Sequence, residues 1–254
     1  FVFALTDEKK VRVRSGMDRG MGKVAEINAA TETEKKQEAR EEVKELGQAE
    51  LKGSGQKIQL ISIIGEIEGH ESLSGGSKTT KYEHILPKLA EIEDSPDTDG
   101  VLILENSTGG SVESGLAIAE MIASLSKPTV SLVIGDGHSI SVPIAVAADY
   151  TFIVPSATMI VHPVRASGMV VGVRQTFVNM EQTQDRITSF IERHSHITKK
   201  RIEELMLDVG MLVKDVGTIL DGEAAVREGL IDAIGGISDA VQKLHELIDA
   251  SRKK

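Results

Sequence analysis

Ser139 is the residue of this chain best placed for chemistry. It closes the run Gly135-Asp136-Gly137-His138-Ser139, which follows the apolar residues Val130, Leu132, Val133 and Ile134. Small apolar residues suited to a tightly packed helix come next, with Pro143 tolerable in the first turn. A strand, a glycine-marked turn and a helix start, in that order, place a hydroxyl among backbone N–H groups that lack intrahelical partners. That setting suits a nucleophile whose product is an oxyanion. It suits an ordinary N-cap serine as well. A second glycine turn, Gly109-Gly110, follows the apolar run at 101–104. Set side by side, the two turns would aim the N–H groups of Gly110 and Ile140 at one carbonyl oxygen attacked by Ser139, with glycine letting the backbone approach the substrate. The plainer alternative is two unrelated strand–helix turns.

The elements that must position these turns alternate between strand and helix patterns, which reads as an α/β fold. Strands are expected at 58–64, 101–104, from 130, at 151–154, 158–164 and 230–234. Helices are expected at 82–92, after Ser111 to about 126, after Ser139, at 175–194, after Thr198, at 224–228 and at 238–250. Thr80 stands at capping-box spacing from Glu83, and Pro87 predicts a kink or a late start in the helix that follows. Residues 66–80 and 168–173 read as loops, and 107–111 as a turn.

Composition bounds the function. The chain has 254 residues and no cysteine, so neither disulfides nor thiol chemistry are available. A net charge of −10 and an aromatic content of 3% without tryptophan argue against nucleic acid as a partner. No apolar run reaches the ~20 residues that span a bilayer, and no signal-peptide layout is evident, so a cytoplasmic location is expected. Residues 1–55 balance acidic against basic residues, and the segment 31–51 has too few apolar positions to bury a core. They read as a charged, disordered tail, followed by one domain over 56–254. Met17 is a candidate start. No cofactor or metal is expected; His194 and His196 read as solvated or capping residues without metal-ligand spacing.

Three blocks together resemble the ClpP peptidase family: Asn106-Ser107-Thr108-Gly109-Gly110-Ser111-Val112, Gly135-Asp136-Gly137-His138-Ser139, and Gly229-Leu230-Ile231-Asp232. The resemblance spans about 58–248. The runs Thr79-Thr80-Lys81-Tyr82-Glu83-His84, His138-Ser139-Ile140 and His162-Pro163-Val164-Arg165 are similar to a branch of that family linked to protein export. The resemblance implies a ClpP/crotonase-like spiral of repeated ββα units and a Ser–His–Asp triad in that chain order. Ser139 matches the nucleophile and His162 the base. The family has His-Gln-Pro where this chain has Val161-His162-Pro163, which implies a one-residue deletion after the histidine, since valine cannot accept a proton. The family's aspartate falls near Gly217. Asp215, preceded by Lys214, is the candidate acid and Asp221 its competitor. His138 is expected to line the site rather than act as base. The segment from 168 through the helix at 175–194 resembles the family's handle, which implies a homo-oligomeric ring.

The function expected is hydrolysis of peptide or protein substrates by a serine endopeptidase, linked to protein export or turnover, with an ATPase or the secretion machinery as a possible partner. One alternative is a catalytically silent scaffold that aids translocation. Another is a crotonase-type acyl-CoA enzyme, which uses paired glycine amides but needs no Ser–His pair.

Overall fold

The computed structural model describes residues 37, 41, 43, 47–51, 53–71, 73, 75–166, 172–209 and 216–253. The chain divides into two units, Phe1–Gly47 and Gln48–Lys254. In the first, the described residues 37, 41 and 43 are helical and exposed.

The second unit is a mixed α/β body with nine strands and seven helices among the described residues. A parallel ladder forms its centre: β2 (Ile58–Ile67), β4 (Gly100–Gly110), β5 (Thr129–His138) and β6 (Tyr150–Ile153) lie side by side. β1 (Gln48–Leu51) adds antiparallel to the free edge of β2, so residues assigned to the tail by composition are strand residues in the sheet. β3 (Thr79–Thr80) pairs with the end of β2, and β9 (Ala233–Ile234) with β6. The crossovers run through α1 (Tyr82–Asp94), α2 (Val112–Ala123) and α3 (Ser141–Val146).

Alternate residues of β4 face two cores. Val101 and Ile103 join a large apolar cluster with α1, α2 and α3. Leu102 joins a smaller one, closed by Ala240, Leu244 and Ile248 of α7 (Ile237–Ser251). A parallel strand covered on both faces reads as a continuous apolar run, which is why 101–104 is legible as a strand.

β5 changes neighbours along its length. Val130–Val133 pair with β6, whereas Asp136, Gly137 and His138 pair with β7 (Thr158–Val161). β7 in turn pairs antiparallel with β8 (Thr218–Asp221), which runs into α6 (Gly222–Arg227). This switch carries the end of β5 out of the main ladder and delivers Ser139 to the surface of a cleft. α4 (Val173–Arg193) and α5 (Lys199–Met206) cover the cleft from the far side.

Several expectations are corrected. β4 and β5 extend through the residues read as turns, because their glycines sit in tight strand packing rather than breaking it. A Cβ on Gly135 would lie 2.5 Å from Asn106 Oδ1, the atom that accepts the Asp136 N–H at 2.9 Å. Thr80 does not cap α1: its hydroxyl accepts from Ile64 N–H at 2.8 Å and donates to Ile64 O at 3.0 Å, and Lys81 is the N-cap without a side-chain bond. α1 continues through Pro87. Leu230 and Ile231 are core residues, but the last strand is only Ala233–Ile234.

Candidate active site

The backbone at Ser139 adopts an unusual conformation. Among the described residues, Ser139 is the one non-glycine residue with positive φ, at 60°. Such a conformation costs about 1–2 kcal/mol and persists where the surroundings over-determine it. Here the Ser139 N–H donates to Ile160 O of β7 at 2.8 Å, and its carbonyl accepts from Val142 N–H at 3.1 Å. The N-cap of α3 is Ile140, with no side-chain cap bond, so the Ser139 hydroxyl is not spent as a cap.

The second glycine turn lies against it. A Cβ on Gly109, where φ is +89°, would stand 2.7 Å from Ser139 Cβ and 3.2 Å from its Oγ. A Cβ on Gly110 would meet Ile67 O at 2.3 Å. Ser107 fixes this turn by donating to Gly65 O at 2.6 Å and accepting from Gly109 N–H at 3.1 Å. The two turns are therefore adjacent, as an oxyanion hole requires.

Ser139, Gly110, Ile140 and His162 line one cavity of about 240 Å³. Its walls are about evenly apolar and polar, with Val112, Val142, Ile187 and Met206 on one hand and Thr108 and Arg165 on the other. His162 follows directly after β7 ends, where strand alternation no longer dictates the facing, so both it and the buried Val161 reach the cavity. His162 Nδ1 lies 2.7 Å from Pro163 O. A carbonyl only accepts, so this contact requires a proton on Nδ1 and leaves the Nε2 lone pair free. No hydrogen bond joins Ser139 Oγ to His162 among the described residues; such contacts commonly tighten only when substrate is bound.

Asp215 lies outside the described residues. The chain emerging after it runs beside His162: a Cβ on Gly217, where φ is +137°, would meet His162 Cβ at 2.8 Å. The competitor Asp221 is committed elsewhere, capping α6 by accepting from Ala224 N–H at 2.8 Å. His138 does not line the cavity. Its Nε2 sits 2.8 Å from Thr158 Oγ1 and 3.5 Å from Asp136 Oδ1. Burial holds its imidazole below the usual range; the Asp136 carboxylate opposes this and the neighbouring His162 adds to it.

The third motif is structural. Asp232 Oδ2 accepts from Thr151 N–H at 2.8 Å and from Thr151 Oγ1 at 2.9 Å, tying the last strand to β6. His194 stacks on Phe190 with ring centroids 4.4 Å apart, and His196 Nε2 meets Asp232 Oδ1 at 3.1 Å. Sequence reasoning missed Glu105. It is completely buried in the middle of β4 and accepts a hydrogen bond from Ser141 Oγ, and among the described residues its Oε2 has no partner. Burial drives its carboxyl well above the usual carboxylate range. The signal available was a lone acid closing the run Val101-Leu102-Ile103-Leu104.

This combination of a strained serine turn, an abutting glycine turn and a histidine on one cleft, set on a spiral α/β sheet, matches a known class. The sequence pattern of the Clp protease family matches residues 55–238, and the chain belongs to that family. It is 52% identical over 210 residues to the translocation-enhancing protein TepA of Halalkalibacterium halodurans, covering 82% of each chain. It is 24% identical over 227 residues to a putative protease of Methanocaldococcus jannaschii, covering 78% of this chain and 72% of that one. Among solved structures, a ClpP1 mutant from Listeria monocytogenes superposes with a TM-score of 0.57 at 20% identity, covering 72% of this chain and 94% of that one. That likeness shows the ClpP-like fold. Among the described residues, no helix is long and apolar enough to cross a membrane.

Proposed function

We propose that this protein is a serine-type endopeptidase acting on peptides or proteins in the cytoplasm, in a role allied to protein export. The observation that carries the reading is the positive-φ turn at Ser139, which opens into the same cavity as His162 with the Gly109 backbone packed against it. In this scheme His162 Nε2 takes the Ser139 proton as Oγ attacks the scissile carbonyl. The Gly110 and Ile140 N–H groups receive the developing oxyanion. His162 then returns the proton to the leaving amine, and water cleaves the acyl-enzyme by the same steps. The Pro163 carbonyl supports the tautomer this requires, and Asp215 is assigned to stabilise the imidazolium.

The first half of α4 supports a homo-oligomeric ring. Phe177 is 60% exposed and Val173 78% in the single chain, while Ile187, Phe190 and Ile191 further along are buried. An ATPase or a component of the secretion machinery is the expected partner class. A second reading, a silent scaffold that aids translocation, draws on the unmade Ser139–His162 bond and on the name of the TepA relative. Reaction with a fluorophosphonate separates the two: covalent labelling at Ser139 supports the peptidase, and folded protein that never labels supports the scaffold.

A further inference from the structure

Glu105 occupies a place where a carboxyl is costly. It faces the same side of β4 as Val101 and Ile103, between Ile63 of β2 and Val133 of β5, inside the large apolar cluster. Burying such a group without full hydrogen bonding is costly, and among the described residues one of its oxygens is unpartnered. Its single partner among the described residues is Ser141 Oγ. Ser141 is itself completely buried, is the first residue of α3, and stands two positions after the strained Ser139.

The position of this bond is informative. β4 carries Glu105 and, five residues on, Gly110, whose N–H is assigned to the oxyanion hole. α3 and the turn before it carry Ser139 and Ile140. The Ser141–Glu105 bond thus joins the strand that bears one half of the site to the helix start that bears the other. The remaining supports act elsewhere. Ser139 N–H is tied to β7, and Ile140 is wedged on α2, where a Cβ on Gly115 would meet Ile140 Cγ1 at 2.6 Å.

We propose that Glu105 is a positioning residue that acts through Ser141, clamping the Ser139 turn to β4 so that the nucleophile and the Gly110 N–H keep a fixed separation. The proposal rests on the reading of Ser139 as nucleophile. Burial alone raises the carboxyl's pKa above the usual carboxylate range. The ionisable groups on the packed elements, Glu66 on β2, Asp136 and His138 on β5, and Glu113 and Glu120 on α2, make no contribution to that shift, and α3 has none. Glutamine keeps the acceptor and the shape, so it should serve; leucine keeps the volume and loses the bond.

The test uses the full chain as wild type, Glu105→Gln, Glu105→Leu and Ser141→Ala. Two quantities are read: the rate of fluorophosphonate labelling, and hydrogen exchange at the backbone amides of Ser139 and Val142, both of which are bonded in the turn. Glu105→Leu and Ser141→Ala should label at least tenfold more slowly than wild type, with exchange at these two amides at least tenfold faster. Glu105→Gln should stay within threefold of wild type in both. Unchanged exchange in Glu105→Leu and Ser141→Ala overturns the clamp, whatever the labelling does, and so does loss of labelling in Glu105→Gln. If wild type does not label at all, the peptidase reading fails and exchange alone decides the clamp. If Glu105→Leu does not fold, Ser141→Ala, which breaks the same bond from the other side, decides it.

Discussion

Replacing Glu105 with glutamine should change how stability depends on pH, and the size of the change follows from burial. In the folded protein the carboxyl is buried without a counter-charge, and its pKa is raised well above the usual range by desolvation. In the unfolded chain it ionises normally. Between the ordinary carboxylate pKa and the raised folded one, therefore, the folded state holds more protons than the unfolded state at this position. A group raised in this way contributes stability that is fully present at acid pH and is lost as pH rises towards the folded pKa, at no more than ~1.4 kcal/mol per pH unit. Glutamine has no such proton to lose. Other titrating groups are shared by both proteins and cancel in the difference. Urea unfolding of both proteins at pH 5, 6 and 7 reads this directly: the stability of the variant relative to wild type should climb as pH rises, by no more than ~1.4 kcal/mol per pH unit. A difference that stays constant across that range would refute the claim that burial raises the Glu105 pKa.

Other substitutions test separate parts of the site. Gly109→Ala forces a side chain into positive φ and against Ser139; it should cost about 2–4 kcal/mol in chemical unfolding and slow labelling by about 100-fold, since ~1 Å of misplacement suffices for that. Asp221→Ala should remove about 1 kcal/mol, the worth of an N-cap, while labelling stays within about twofold, because the carboxylate is engaged in capping α6. Deleting 1–55 should lower the thermal midpoint of the second unit, because that cut removes β1 from the edge of β2.

Much of the site was legible because its residues are chemically unusual where they stand. Ser139 after a glycine turn, Gly110 of the paired glycines and His162 beside a strand end all reach one cavity. The strand cores were legible because Val101–Leu104 is a continuous apolar run, and the buried run Val130–Val133 is broken only by Ser131. What escaped has physical causes. Glycine reads as a breaker, yet Gly109, Gly110, Gly135 and Gly137 lie within strands, and at the first three neighbouring atoms leave no room for a Cβ. β8 is four residues long, Thr-Ile-Leu-Asp, too short for its alternation to register. β1 looked like tail because Gln48–Leu51 carries one charge and little apolar surface, and an edge strand needs little more than a partner's free backbone. Glu105 was passed over because a lone acid after an apolar run resembles a strand end meeting solvent.

If Ser139 is a nucleophile, intact-mass analysis after exposure to a fluorophosphonate should find one adduct per chain, mapped to Ser139 by peptide mass, and none on folded Ser139→Ala protein. Folded wild type that takes up no adduct, or an adduct carried by Ser141 and retained in Ser139→Ala, would contradict it.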